Sequence, residues 1–260
     1  VLNPDSYPAY VAPLGMGLRP QRAVSLVLRD SSITFDELVE IKLNTGLESA
    51  DRYLGELLEY AGKSPDAKVA EAVKILEAWD KKSDTGSRGT LLFAEWWDLA
   101  RPVLGQTPWD PSRPVSTPHG IKDPSKAVEL LARAYDNAKE KYGSADVATG
   151  EVFRIRINGH DVPSNGGPEY FGMLRAMYYA PDSDGKMKAV AGDTYYAVTE
   201  FGEKVKAVAV LSYGNATQPG NKHAGDQLDL MSEKKMRPVF FYRDEVLKNV
   251  GKRETVKVLF

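Results

Sequence analysis

The hydrophobic period of the chain changes once, near Gly143, and that change constrains the fold more than any other feature. Before it, apolar side chains recur three and four residues apart, the spacing of a helix face. After it they alternate, the spacing of a half-buried strand. Helices first and turn-separated strands second predict an α+β fold, with a mainly helical domain over residues 1–145 and a β-rich segment over residues 146–260.

In the helical part, Thr34-Phe35-Asp36-Glu37 has the form of a capping box, in which Thr34 and Glu37 satisfy each other's orphan amides. Leu38, Ile41 and Lys42 follow in a helix that Gly46 interrupts. Leu47, Ala50, Leu54, Leu57, Leu58 and Ala61 form a stripe ended by Gly62. Ser64-Pro65 reads as a cap with proline at the first helical position, leading to Val69, Ala72, Val73, Leu76 and Trp79 on one side. Residues Thr90 to Ala100 carry Leu92, Phe93, Trp96 and Trp97, a load that predicts a buried helix and makes Trp96-Trp97 core. Arg101 to Pro124 holds six prolines and reads as an irregular surface excursion. Asp123-Pro124 opens one more helix, with Val128, Leu131, Tyr135, Ala138 and Tyr142 on a face.

In the second part, Glu151 to Ile157 puts Phe153, Ile155 and Ile157 opposite Arg154 and Arg156, and Asn158-Gly159 is a hairpin turn. Leu174–Ala180 and Lys186–Ala191 flank the turn Asp182-Ser183-Asp184-Gly185. Tyr195 to Phe201 and Val205 to Leu211 continue as strands. A loop, a break at Arg237-Pro238 and a short helix from about Asp244 close the chain.

Composition narrows the chemistry. At roughly 100–200 residues per domain, 260 residues make one large or two modest domains. The 34 basic and 36 acidic residues nearly cancel, so no nucleic-acid partner is expected. Zero cysteine excludes disulfides, thiolate metal sites and a cysteine nucleophile, and leaves the compartment open. No run of about 18 apolar residues predicts a membrane-spanning helix. Val1-Leu2-Asn3-Pro4-Asp5 has neither an initiating Met nor the pattern of a signal peptide, so a mature or trimmed segment is expected.

Short motifs add little. Val210-Leu211-Ser212-Tyr213-Gly214 lacks the first glycine of a nucleophile elbow. Gly15-Met16-Gly17 lacks the third glycine of a dinucleotide loop. Asp182-Ser183-Asp184-Gly185 opens like a calcium loop, but the twelfth position is Asp193 rather than glutamate, so a β-turn is expected. His223-Ala224-Gly225-Asp226-Gln227 brings an imidazole and a carboxylate together, either for acid–base work or as a loop staple. With no nucleophile in the motif the staple is expected. His119 and His160, beside turn residues, are expected to be solvated.

Taken together, several segments resemble the penicillin acylase family of N-terminal-nucleophile hydrolases, in its acyl-homoserine-lactone and aculeacin acylase branch. Ser212-Tyr213-Gly214-Asn215, Gln218-Pro219, His223, Asp226-Gln227 and the strand from Lys235 to Phe240 are similar to the family's closing signature. Ala191-Gly192-Asp193-Thr194 and Val198-Thr199-Glu200-Phe201 resemble the strand pair before it. Asn165-Gly166-Gly167-Pro168 is similar to a Gly-rich loop of the branch, and Gln21-Arg22-Ala23, Thr34 to Leu38 and Ser87-Arg88-Gly89 fit its helical region. The likeness covers nearly the whole chain.

The resemblance implies an αββα fold and hydrolysis of N-acyl amides, such as acyl-homoserine lactones or penicillins, through an acyl-enzyme. The nucleophile is then a serine at the N-terminus of the larger subunit, whose own α-amine acts as base. Val1 has no hydroxyl and Ser6 is internal, so the chain is expected to be the C-terminal part of that β subunit, inactive alone. The family's oxyanion asparagine sits in an Asn-rich motif that this sequence lacks; Asn3 has no such context. The expected partners are the remainder of the β chain and the α chain of the same precursor, with strand edges at the cut open to pairing. About two dozen residues beyond the oxyanion asparagine the family has an arginine in a [DQ]-R context that organises the active site, and Gln21-Arg22 matches it. Arg22 is thus the catalytic candidate; on spacing alone it reads as an ordinary surface arginine on a helix. A metal-binding aspartate of the penicillin G branch falls close to Val11, and no metal or cofactor is expected. A periplasmic or secreted location follows from the resemblance only. The other reading is a non-catalytic binding or scaffold module of the same fold, with the Pro-rich excursion as its recognition surface.

Overall fold

Every helix predicted from the periodicity is present in the computed structural model, which describes residues 15–212 and 214–255. The elements begin with α1 (Leu18–Val27), α2 (Phe35–Lys42), α3 (Glu48–Ala61), α4 (Ala67–Ala78) and α5 (Thr90–Ala100). The capping box at α2 forms: the Glu37 amide donates to Thr34 Oγ1 at 3.3 Å and the Thr34 amide to Glu37 Oε2 at 2.7 Å. The α4 cap lies beyond the expected Ser64-Pro65. Asp66 is the N-cap, its carboxylate accepting from the Lys68 amide at 2.8 Å, and Ser64 instead accepts from Asp66 N. A carboxylate two residues nearer the helix outcompetes the hydroxyl for its orphan amides.

Before α5 stands Gly89, with φ of +102° and a position where a Cβ would lie 2.7 Å from the Trp79 side chain. Only glycine lets the chain turn so closely past that ring. In α5, Leu92, Phe93, Trp96 and Trp97 are all buried, and Trp96 Nε1 donates to the Ala127 carbonyl at 3.0 Å. They pack with Leu54 and Leu57 of α3, Leu76 of α4 and Leu131 of the long helix α6 (Pro124–Tyr142) into one core. The cap of α6 is the expected one, Asp123 accepting from Lys126 N with Pro124 in the first turn.

The excursion between α5 and α6 is more ordered than its prolines predict. A single 3₁₀ turn (Arg101–Val103) leads into β1 (Leu104–Thr107), which pairs antiparallel with β2 (His119–Ile121). Strands of four and three residues are too short to show alternation, and Pro108 and Pro118 stand just outside them. Side chains hold the loop: Arg52 Nη1 and Nη2 donate to the Pro118 and Val115 carbonyls, and Thr117 Oγ1 accepts from Asp110 N.

After Gly143 the chain forms the short helix α7 (Thr149–Val152), then β3 (Phe153–Ile157), β4 (His160–Pro163), β5 (Met177–Pro181), β6 (Met187–Gly192), β7 (Tyr195–Glu200) and β8 (Lys206–Leu211). Asn158 and Gly159, with φ of 49° and 84°, make the expected two-residue hairpin with Ile157 opposite His160. Helix α8 (Leu228–Ser232), which the sequence reading did not contain, strand β9 (Arg237–Pro238) and helix α9 (Arg243–Lys248) follow. One sheet has the order β4-β3-β6-β5 and the other β7-β8-β9. All pairings are antiparallel except β3 with β6, which run parallel. Pro238 lies in a strand at the sheet edge, where its missing N–H costs no ladder bond.

A second core gathers Ile155, Met177, Tyr196, Val210, Leu228 and Met231 around Leu43, with Val39 of α2 packed against it. Helix α2 therefore packs with the strands, whereas α3 belongs to the helical core. The turn between them, residues 44–46, lies where the two cores meet.

Candidate functional site

Helix α1 is unusual in that its buried residues are Gln21 and Arg22. A guanidinium taken out of water needs partners, because burying an unpaired charge costs several kcal/mol or more (roughly). Arg22, 7% exposed, finds them on α3 and on the turn before it. Its Nε donates to Asn44 Oδ1 at 2.9 Å and its Nη1 to Asp51 Oδ2 at 3.0 Å, with Glu48 Oε2 at 3.5 Å. Positions 48, 51 and 52 follow the i, i+3, i+4 spacing, so these charges share one side of α3.

The network extends away from Arg22. Glu48 Oε1 accepts from Arg52 Nη2 at 2.6 Å, and Arg52 Nη1 donates to Gln21 Oε1 at 2.7 Å. Gln21 Nε2 donates to the carbonyls of Met16 and Thr117. Lys81 Nζ stands 3.6 Å from Asp51 Oδ1. Three cations (Arg22, Arg52, Lys81) thus face two carboxylates, Glu48 and Asp51, so the cluster is not neutralised by its own acids. Among the described residues, no hydrogen bond uses Arg22 Nη2. Burial overturns the surface-arginine reading of Arg22.

A second buried arginine, absent from the sequence reading, lies on the other side of the same turn. Arg175 is 1% exposed; its Nε donates to Asn165 Oδ1 at 3.2 Å and its Nη1 lies 3.8 Å from Asp193 Oδ2. The guanidinium stands over the Tyr196 ring at 4.9 Å. Burial pushes the Tyr196 phenol up, against the opposing pull of Arg175. Lys42 Nζ donates to Asp193 Oδ2 at 2.8 Å. The Arg175 amide donates to the Asn44 carbonyl at 3.3 Å, so Asn44 holds Arg22 with its side chain and the Arg175 segment with its backbone. Asn165, in the Gly-rich loop, also donates to the Met231 and Ser232 carbonyls at the end of α8. The signal that could have revealed the clusters is polar residues on faces otherwise apolar: Gln21 and Arg22 on α1, Glu48 and Asp51 beside the α3 stripe.

The other motifs settle as structure. His223 Nδ1 and Asp226 Oδ2 are 2.8 Å apart and half exposed, while the buried Gln227 accepts from Leu211 N and Arg237 Nε. This is the expected staple, pinning the loop to β8 and β9. His119 and His160 are exposed. At the turn that opened like a calcium loop, Arg156 supplies the positive charge. Its Nη1 donates to Asp182 and Asp184, both at 2.9 Å, and its Nη2 to Asp184 at 2.7 Å. That pairing pulls the Asp184 carboxyl down to about 2. Among the described residues, no three His, Asp or Glu side chains gather as a metal site would require. The positions of Val1, Asn3, Ser6 and Val11 lie outside the described residues.

A cleft of about 580 Å³ lies between α4 and the C-terminal half of α6, and one of about 750 Å³ lies between the end of α6, α7 and the turn before β6; neither includes any of the Arg22 network. A cleft of about 370 Å³ adjoins it, lined by Leu43, Asn44, Thr45, Lys82 and Lys234 among others.

Along residues 2–248 the sequence matches the Penicillin amidase family. Similar proteins include the acyl-homoserine lactone acylase PvdQ of Pseudomonas syringae pv. tomato, 28% identical over 223 residues, which are 81% of this chain and 29% of that protein. The PvdQ of Pseudomonas putida is 25% identical over 249 residues, 93% of this chain and 32% of that protein. The fold is similar to that of a thermostable penicillin G acylase from Alcaligenes faecalis, with a TM-score of 0.51 at 15% identity, over 98% of this chain and 55% of that one. The chain thus spans about a third of the length of the acyl-homoserine lactone acylases it matches.

Proposed function

As the chain belongs to the penicillin amidase family, we propose that the protein carrying it hydrolyses a linear N-acyl amide, with acyl-homoserine lactones as the first substrate class to test. In this reading the chain supplies the helical region and the closing strands of an αββα fold. The nucleophile is an N-terminal serine contributed by residues outside this sequence. Its hydroxyl oxygen attacks the amide carbon while its proton passes to the free α-amine. The C–N bond then breaks, the leaving amine takes the proton, and water hydrolyses the ester to a carboxylate.

Arg22 organises the polar side of that centre. The observation that carries this role is its burial with Nε and Nη1 committed to Asn44 and Asp51, which holds the guanidinium plane in place. A fixed guanidinium presents N–H groups to carbonyl oxygens in one geometry, and such preorganised donors stabilise charge that develops in a transition state. The relatives named as acyl-homoserine lactone acylases favour an acyl-homoserine lactone over a penicillin; both belong in the substrate panel. A periplasmic or secreted location goes with this reading, and fractionation of expressing cells measures it.

The test is expression of the complete reading frame beside the isolated 260-residue chain, with release of free homoserine lactone and of penicillin nucleus as readouts. Turnover by the complete protein and none by the isolated chain is the expected result. A complete, folded protein that cleaves no amide in the panel overturns the proposal.

A further inference from the structure

We infer that the turn Asn44-Thr45-Gly46 is a positioning device for the Arg22 guanidinium, with Asn44 and Gly46 as positioning residues for amide hydrolysis. The inference rests on the function proposed above, and its observations are independent of it.

The first observation is the double use of one oxygen. Asn44 Oδ1 accepts from Arg22 Nε at 2.9 Å and from the Gly46 amide at 3.1 Å, so the arginine is tied to the same atom that closes the turn. The second is the space at Gly46. Its φ lies outside the left-handed region, so nothing in the backbone demands glycine there. A Cβ would nevertheless fall 2.0 Å from Arg22 Nη2 and 2.8 Å from its Cζ. The missing side chain is therefore replaced by the arginine tip, laid against bare backbone. The third is the anchoring of the turn. Ser83 N donates to the Thr45 carbonyl, Thr45 Oγ1 donates to Asp84, Gly46 bridges to Lys82, and Arg175 N donates to the Asn44 carbonyl. Strand-side and helix-side segments thus grip three successive residues, and the turn transmits that rigidity to Arg22.

With Nε on Asn44, Nη1 on Asp51 and one flank against Gly46, Nη2 is the donor left over among the described residues. Its natural acceptor is a carbonyl oxygen of the reacting centre. A methyl at position 46 forces Nη2 from 2.0 Å to beyond the 3.4 Å at which ordinary contact begins. Because the atom displaced is the end of a flexible side chain, the fold accommodates the change and the donor moves. Misplacing a reacting or orienting group by 1 Å costs on the order of 10²-fold in rate.

The experiment uses the complete protein. Gly46→Ala is expected to lower kcat by about 10- to 100-fold with KM within about twofold and the thermal midpoint little changed. Asn44→Ala is expected to lower kcat to the same extent while also lowering the thermal midpoint, since it takes the acceptor from Arg22 Nε and the Gly46 amide. Asn44→Asp, which keeps the acceptor, recovers most of what Asn44→Ala loses. In an Arg22→Gln background Gly46→Ala has no further effect, since neighbours acting through one group are not additive. A folded Gly46→Ala protein with wild-type kcat, or a loss that simply multiplies with that of Arg22→Gln, overturns the inference. If the wild-type protein cleaves no amide, the proposed function fails and the turn is still tested. The Arg22 Nε–Hε NMR signal of the wild type must then shift in Gly46→Ala and Asn44→Ala, and an unmoved signal overturns the positioning role.

Discussion

Two arginines of this protein face clusters of carboxylates and end in opposite states. Arg156, on the outer face of β3, meets Asp161, Asp182 and Asp184 and shares Asp161 with Arg154, three acids to two bases, all from turns and strands of its own sheet. Both of its Nη atoms are spent on carboxylates, and the cluster is a finished pin on a surface hairpin. Arg22 lies buried between a helix, a turn and a second helix, where three bases meet two acids and Nη2 keeps donor capacity. A cluster that satisfies itself serves structure. Arg22 Nη2 has no hydrogen-bond partner among the described residues and is left able to meet a further acceptor, while the buried arginine donors without a hydrogen-bond partner among those residues include Nη1 and Nη2 of Arg175.

The largest effect expected from this contrast is on turnover. Arg22→Gln in the complete protein should lower kcat/KM by about 10²- to 10³-fold, the loss typical of one preorganised donor, whereas Arg156→Gln should leave kcat/KM unchanged. Steady-state assays of both variants break the comparison if the two losses match. Arg175→Met extends it to the most buried arginine. It removes the donor to Asn165 Oδ1, and denaturant unfolding should register a loss of about 1–3 kcal/mol, the cost of leaving a buried acceptor unpaired. The smallest effect belongs to Arg156. Asp184 titrates near 2 because Arg156 donates to it, below the value near 3.9 expected of an unfolded chain. Its contribution to stability is present above that unfolded value and is lost as pH falls toward 2. The thermal midpoints of wild type and Arg156→Gln should differ slightly at pH 6 and converge between pH 4 and 2. Carboxyl NMR should find Asp184 back in the ordinary range in the variant. A gap that persists at pH 2, or an unmoved Asp184, removes the pin from the comparison.

Much of the fold was legible because it rests on local rules. Thr34 with Glu37, Asp123 with Pro124, and Asn158 with Gly159 each satisfy backbone demands within four residues, so their positions could be read in order along the chain. The failures were local rules in competition. Ser64 and Asp66 both offer a cap, and which one serves depends on where the helix begins to pack. β1 and β2 escaped because three or four residues carry too little period and their support comes from Arg52, more than sixty residues away. Arg22 was legible by likeness to a family motif, but its partners Asn44 and Asp51 were not, since nothing in the spacing of 22, 44 and 51 marks them as neighbours. Gly46 was read as a helix breaker. The structure adds a reason that concerns no helix at all, the tip of Arg22 against its α-carbon.

By itself, then, the sequence determined the change of period at Gly143, the apolar faces that become two cores, the caps, the hairpin turn and the family. These follow from hydrogen bonding and hydrophobic spacing over a few residues, or from an ordered set of motifs. Only the tertiary structure decided that Arg22 is buried rather than solvated, that Asn44 joins it to Arg175, and that Arg156 takes the charge a calcium ion would otherwise bring. The physical reason is that a charge acquires its role from the acceptors and the dielectric around it, and here those come from segments distant in sequence that meet only when the cores pack.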